Sequence, residues 1–160
     1  QGQPFIILHG LMGSADNWLT QAKILASHYH VYMVDQRNHG LSSHSEEFDY
    51  KVLANDIKDF ISEHSIKSPI ILGHSMGGKA AMNFAVSNPT MLSHLIVVDI
   101  APKEYPIHHD SIVDGLKAIP INTLQSRNEA DEILLLEVIE ILNVTKVAKR
   151  SISEVKPWKI

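Results

Sequence analysis

The chain has 160 residues, of which 44% are apolar and 20% charged, a balance typical of a globular domain rather than a disordered or fibrous chain. Its formal net charge of -4 and pI near 6.2 offer no basic surface to phosphates, so no nucleic-acid partner is predicted. Because the sequence has no cysteine, disulfides, thiolate metal sites and cysteine nucleophiles are excluded, and a cytoplasmic location is expected. No apolar run approaches the ~20 residues of a membrane span, so no membrane partner is predicted.

Short apolar runs alternate with amphipathic stretches in the first part of the chain. The runs predict strands over residues 5–8, 31–34, 69–72 and 95–98, and the stretches predict helices over 16–27, 50–64 and 76–88. Asp49 and Ser75 stand at N-cap positions, and Pro89 ends the third helix. This alternation predicts an α/β fold with a doubly wound, mostly parallel sheet.

The pattern changes after Asp99, where prolines interrupt the chain at positions 102, 106 and 120. An apolar-rich segment over Glu129–Val144 is predicted to be helical, with no strand after it. We therefore expect an α/β core over residues 1–102 and a cap-like helical segment over 103–160. Since the sequence begins at Gln1 and enters a strand almost at once, we expect both ends to be incomplete.

The motif Gly73-His74-Ser75-Met76-Gly77 follows the apolar run Ile70–Leu72 and precedes a helical pattern. This is the setting of a nucleophile elbow, in which a serine occupies a sharp, strained turn and flanking glycines leave room for the strand and the helix. Ser75 is the predicted nucleophile. The ring of His74 is expected to point away from Ser75, which would make it a poor base.

A glycine-rich loop, His9-Gly10-Leu11-Met12-Gly13, ends the first predicted strand. In enzymes with a nucleophile elbow of this kind, the loop at this position supplies the second backbone donor of the oxyanion hole. The N–H groups of Leu11 and Met76 are therefore the predicted pair. The alternative is an ordinary turn between a strand and a helix.

Asp99 follows the fourth strand, at the carboxyl edge where open α/β sheets place their active sites. Spacing alone leaves two roles open, the acid of a catalytic triad and a turn or N-cap aspartate. Asp35 and Arg37 follow the second strand and are expected to brace their loop by hydrogen bonds. No metal site is predicted from the ten histidines, because no pair has helical i, i+4 spacing with an acid between.

Four blocks of the sequence together resemble the YbfF-type bacterial esterases and the animal abhydrolase-domain-11 proteins. They are Pro4–Ser14, Val34–Gly40, Gly73–Lys79 and Val98–Pro102. The resemblance covers the chain from about Gly2 to about Leu134. It implies an α/β-hydrolase fold and a serine carboxylesterase that acts on a small ester or thioester without a cofactor. It also implies that Asp99 is the acid that orients the catalytic histidine.

The chain departs from this family at its far end. The family's histidine follows the last strand, well beyond the length of this sequence, and nothing after Leu134 resembles that segment. We therefore expect the chain to lack the catalytic histidine and the first and last strands of the fold, and to be completed by another segment or to self-associate. A non-catalytic binding or interaction module is the alternative, and acyl transfer and perhydrolysis by the same triad stay open.

Overall fold

The structure is a computed structural model, and it describes residues 2–103, 114, 116–126, 128–130 and 132–133. Contacts divide the chain into two compact units, Gln1–Lys103 and Glu104–Ile160. The cap-like role of residues 103–160 stays a prediction.

The first unit alternates strands and helices. The strands are β1 (Gln3–Leu8), β2 (Tyr29–Val34), β3 (Ile70–His74) and β4 (His94–Val98), and the helices are α1 (Leu19–Leu25), α2 (Tyr50–Glu63) and α3 (Met76–Ser87). The strands lie in the order β2-β1-β3-β4, and each neighbouring pair is parallel. The predicted parallel α/β sheet is confirmed.

The segment after the glycine-rich loop differs from the single helix predicted over residues 16–27. A 3-10 turn, Ala15–Trp18, comes first, and α1 begins only at Leu19. Two side chains hold the start of that turn: Asn17, within it, accepts from the Ser14 N–H at 2.7 Å, and Asp35 Oδ1, after β2, accepts from the Ala15 N–H at 2.7 Å. These bonds satisfy the first amides by side-chain acceptors, so the tighter turn replaces the first α-helical turn.

Helices cover both faces of the sheet, and β1 shows how the sequence encodes this. Ile6 and Leu8 point to one face, and Phe5 and Ile7 point to the other, as the two-residue period of a strand requires. The first pair packs in a cluster with residues of α2 and α3, while the second pair packs with Ala22 of α1. Each of the four β1 side chains is at most 3% exposed, and burial of such a side chain contributes about 1.5–3 kcal/mol.

The strand order creates a switch point between β1 and β3. From β1 the chain moves to β2 on one side, and from β3 it moves to β4 on the other. Ligands of open α/β sheets bind in the crevice at the carboxyl ends of two such strands. The loop His9–Gly13 and Ser75 follow these two strands and therefore flank the crevice.

The two predicted N-caps behave differently. Asp49 caps α2, because its carboxylate accepts from the N–H groups of Lys51 and Val52 at 2.7 and 2.8 Å. Ser75 occupies the N-cap position of α3, yet its side chain makes no capping hydrogen bond. The Ser75 hydroxyl is thus not used to stabilise the helix.

The described part of the second unit contains a turn and the start of a helix. The N–H groups of Thr123 and Leu124 donate to the Pro120 carbonyl at 2.9 and 3.1 Å, and the Glu129 N–H donates to Ser126 Oγ at 3.2 Å. Residues 128–130 and 132–133 are helical, near the start of the helix predicted over Glu129–Val144. Residues 134–144 lie outside the described residues. Among the helices that are described, none combines the length and apolar content needed to cross a membrane.

Candidate active site

Ser75 lies between β3 and α3 in a strained backbone conformation. Its φ of 50° and ψ of -113° fall in a region that costs a non-glycine residue about 1–3 kcal/mol. The Ser75 N–H donates to the Val98 carbonyl at 3.0 Å, and the Ser75 carbonyl accepts from the Lys79 N–H at 3.1 Å. These bonds to β4 and α3 hold the strained turn, which is the predicted strand-to-helix elbow.

The glycines on either side of Ser75 are required by close packing. A Cβ on Gly73 would collide with the backbone of Gly77, and a Cβ on Gly77 would lie 2.5 Å from the Leu8 carbonyl oxygen. Helix α3 therefore starts directly against the ends of β3 and β1. This contact places the N-terminus of α3, with the Met76 N–H, at the switch point.

The loop after β1 leaves the Leu11 amide available. The Gly13 N–H donates to the Gly10 carbonyl, and the Met12 N–H donates to His39 Nε2, both at 3.1 Å. Within residues 2–103, the N–H groups of Leu11 and Met76 donate to no protein acceptor. The two predicted oxyanion donors are therefore free to bind a ligand.

His9 fixes the position of this loop from inside the protein. Its Nδ1 lies 2.8 Å from the Gly10 carbonyl oxygen, which only accepts, and its Nε2 accepts from the Gln36 N–H at 3.1 Å. These partners require the neutral ring with the proton on Nδ1. Burial is the main cause that lowers the pKa of His9 from 6.5. Since both nitrogens are occupied, His9 positions the loop and is not available as a base.

Asp35 and Arg37 brace the loops around the site, as predicted. Asp35 accepts from the Ala15 N–H at 2.7 Å and from the Leu41 N–H at 3.0 Å, and these hydrogen bonds lower its pKa. Arg37 forms a two-point ion pair with Asp56 of α2 at 2.8 and 2.7 Å. The carboxylates of Asp35 and Asp56 are thus both engaged in structural contacts.

Asp99 lies beside the elbow, directly after the β4 residue that pairs with His74. Its side chain is 84% exposed, and its Oδ2 lies 3.7 Å from His74 Nε2. The catalytic acid role of Asp99 stays a prediction, but no helix begins over residues 100–103, so an N-cap role finds no support in that range.

The expectation that the ring of His74 points away from Ser75 stays a prediction, but the ring does lie at the same sheet edge, beside Asp99 and the loop after β1. Besides its contact with Asp99, the ring lies against Gly10: a Cβ built there would be 2.9 Å from His74 Nδ1 and 3.4 Å from Ser75 Cβ. The cause is the register of β3 with β4, which brings the last residue of β3 level with the end of β4. The sequence held one signal for the contact between His74 and Asp99. A histidine ends one predicted strand, and an aspartate directly follows the next.

A cavity of about 370 Å³ lies beside the loop His9–Gly13, the candidate oxyanion loop. It is lined by His9, Gly10, Leu11, Met12, Gly13, Asn17, Trp18 and His74. The rings of Trp18 and His74 are 6.0 Å apart. Trp18 also packs against the cluster that contains Phe5 and Ile7. Sequence reasoning missed Trp18, which periodicity indicates only as an apolar helix residue.

A second cavity, of about 290 Å³, lies between the sheet and α2. Its lining includes Leu8, Arg37, Leu53 and Phe60 but none of the four predicted site residues. In the described part of the chain, no group of three or more histidine, aspartate or glutamate side chains is arranged to hold a metal ion. His108, His109 and Asp110 lie outside the described residues.

The family model described as the α/β hydrolase fold matches residues 3–132. The chain belongs to the α/β hydrolase fold family. The predicted similarity to YbfF is also found, since Esterase YbfF of Escherichia coli is 35% identical over 132 residues, which cover 82% of this chain and 52% of the relative. The chain thus spans about half the length of this curated relative.

Two further similarities concern acyl chemistry. A solved structure titled "Marine microorganism esterase" shares 40% identity and a TM-score of 0.80, over 89% of this chain and 57% of that one. Ethanol acetyltransferase 1 of Cyberlindnera jadinii is 37% identical over 106 residues, which cover 65% of this chain and 32% of the relative. Proteins similar to this chain therefore include ones named for hydrolysis and for acyl transfer.

Proposed function

We propose that the protein is a serine carboxylesterase that hydrolyses small acyl esters or thioesters through Ser75. The observation that carries the proposal is the strained elbow, in which a serine with φ of 50° makes no capping hydrogen bond. Strain of this kind is costly, and it is retained where it serves a site. The similarity to proteins named esterases supports the same function.

Each predicted residue has one step in the proposed mechanism. Ser75 Oγ attacks the acyl carbon as a base removes its proton, and the carbonyl oxygen becomes an oxyanion. The N–H groups of Leu11 and Met76, which have no other acceptor in residues 2–103, stabilise that charge. The protonated base gives its proton to the leaving alcohol or thiol. A water molecule then attacks the acyl-serine with the help of the same base and releases the acid.

The base in this mechanism is a histidine oriented by Asp99. His9 and His39 are unsuited, because both ring nitrogens of each already have partners. His74 contacts Asp99 but belongs to the elbow itself. We therefore assign the base to a histidine outside the described residues, with Asp99 holding its ring and stabilising its positive charge.

Acyl transfer to an alcohol is a second candidate, favoured by the similarity to ethanol acetyltransferase 1. The acyl-serine is common to both reactions, and they differ only in whether water or an alcohol attacks it. A non-catalytic binding module is the third candidate. It predicts an intact cavity without a reactive serine.

The test is covalent labelling of the 160-residue protein with a fluorophosphonate, followed by intact mass and peptide mapping. We expect a single adduct on Ser75. Ser75→Ala should abolish it, whereas Ser62→Ala, which removes an exposed hydroxyl bonded to the Lys58 carbonyl, should leave it unchanged. With imidazole added to supply a base, Asp99→Asn should slow labelling if Asp99 orients that base.

Adducts spread over several surface serines, or equal labelling of the Ser75→Ala protein, would exclude Ser75 as the nucleophile and favour the binding module. If Ser75 is labelled, incubation with an acetyl ester and ethanol separates hydrolysis from transfer. Acetate as the product supports the esterase, and ethyl acetate supports the transferase.

A further inference from the structure

The cavity beside the oxyanion loop lies on one particular side of Ser75. In the sheet, the strand before Ser75 has β1 on one side and β4 on the other. The loop with Leu11 follows β1, and Asp99 follows β4. The cavity is lined by the β1 loop, Trp18 and His74, so it lies mainly on the β1 side.

This placement decides which part of an ester the cavity receives. The following step rests on the proposed function. The base held by Asp99 gives its proton to the leaving oxygen or sulfur, so the leaving group lies on the β4 side. The carbonyl oxygen faces the two amides. The remaining substituent of the reacting carbon, the acyl chain, is directed to the β1 side and into the cavity.

Trp18 forms a rigid wall of this cavity. One part of its side chain packs against the buried cluster with Phe5 and Ile7. Two hydrogen bonds hold the start of the 3-10 turn that carries Trp18. The Asn17 side chain accepts from the Ser14 N–H, and Asp35 accepts from the Ala15 N–H. The ring of His74, 6.0 Å away and inclined by 58°, limits the space from the β3 side. A side chain fixed in this way cannot turn aside for a longer ligand without losing packing.

We propose that Trp18, supported by His74, ends the acyl pocket and restricts the enzyme to short acyl groups. A pocket of about 370 Å³ is near the lower end of the range for small-molecule sites. Trp18 is therefore a specificity-determining residue, and it takes no part in the chemistry.

The experiment measures the affinity of the 160-residue protein for 1-propaneboronic acid and 1-octaneboronic acid by isothermal titration calorimetry. The boron accepts an electron pair from Ser75 Oγ, whose proton is released to the buffer, so binding needs the serine but not turnover. In Trp18→Ala and Trp18→Leu the octyl compound should gain at least about tenfold in affinity relative to the propyl compound. The Trp18→Leu variant keeps an apolar contact with the core, and circular dichroism checks the fold of each variant.

Leu19→Ala is the matched control, because Leu19 is 41% exposed and does not line the cavity; its octyl-to-propyl ratio should equal that of the wild type. An unchanged ratio in both folded Trp18 variants would overturn the proposal, as would absence of binding to the wild type at millimolar concentration. Ser75→Ala separates the two proposals. If it abolishes binding, the serine role is supported, and if it leaves the Trp18 effect intact, the pocket stands while Ser75 loses its proposed role.

Discussion

His9 is the residue that connects the interior of the protein with the candidate oxyanion loop. It is 1% exposed, and its ring and carbonyl make three hydrogen bonds, two of them with Gln36 and one with Gly10. The bond from the Gln36 N–H to Nε2 needs the neutral ring, because protonation of Nε2 would place two donors against each other there. The geometry of the loop therefore depends on the protonation state of one side chain.

We predict that the free energy of unfolding falls as the pH is lowered through the region just below 6.5. Burial lowers the pKa of His9 in the folded state, so the unfolded chain takes up the proton first. The stability contributed by neutral His9 is complete above 6.5 and is lost as the pH falls toward the folded pKa. Urea denaturation between about pH 7.5 and about pH 5.5 measures this slope.

His9→Gln provides the comparison, since the glutamine amide oxygen reaches the position of Nε2 and accepts from the Gln36 N–H without titrating. The variant should be less stable at neutral pH but should show a smaller pH slope in this range. The pKa of Asp35 is lowered from 3.8, mainly by hydrogen bonds. Its titration therefore changes the free energy of unfolding only at a pH below the measured range. An equal slope in both proteins would mean that another group causes it.

At the scale of elements, the sequence predicted a helix start correctly where a single capping residue determines it. Asp49 was predicted as an N-cap from its position alone, and its carboxylate accepts two amides of α2. The helix predicted over residues 16–27 was wrong at its start, because Asp35, far along the chain, accepts from the Ala15 N–H. A contact with the end of another strand carries no signal in local periodicity.

We predict that Asp49→Ala destabilises the protein by about 1 kcal/mol, the usual cost of removing an N-cap side chain. The substitution leaves the Lys51 and Val52 amides without an acceptor at the start of α2. Asp59→Ala is the control, because Asp59 is exposed in the middle of the same helix. Chemical denaturation should show little change for Asp59→Ala, and an equal loss in both variants would argue for a general charge effect instead of capping.

At the scale of the whole molecule, the sequence predicted the sheet and its edge better than the contents of the site. Motifs after β1, β3 and β4 predicted that Leu11, Ser75 and Asp99 follow strands of one sheet, and parallel pairing places those strand ends on one edge. The convergence of His74 and Trp18 could not be predicted. It depends on strand register and on packing of a 3-10 turn against the core, neither of which a single sequence encodes locally.

The last prediction is that the purified 160-residue chain hydrolyses p-nitrophenyl acetate only slowly. In the described part of the chain, His9 and His39 have both ring nitrogens engaged, and His74 lies at Asp99 but within the elbow itself. Without a base between Ser75 and Asp99, a serine hydrolase loses several powers of ten in kcat, although the oxyanion donors leave a small rate above water. Added imidazole should raise the Ser75-dependent rate in the wild type, since a small base can occupy the place beside Asp99, and it should do so less in Asp99→Asn. Turnover of about 10 per second without imidazole, lost in Ser75→Ala, would contradict the prediction, and His74→Ala, His108→Ala and His109→Ala would then identify which histidine acts as the base.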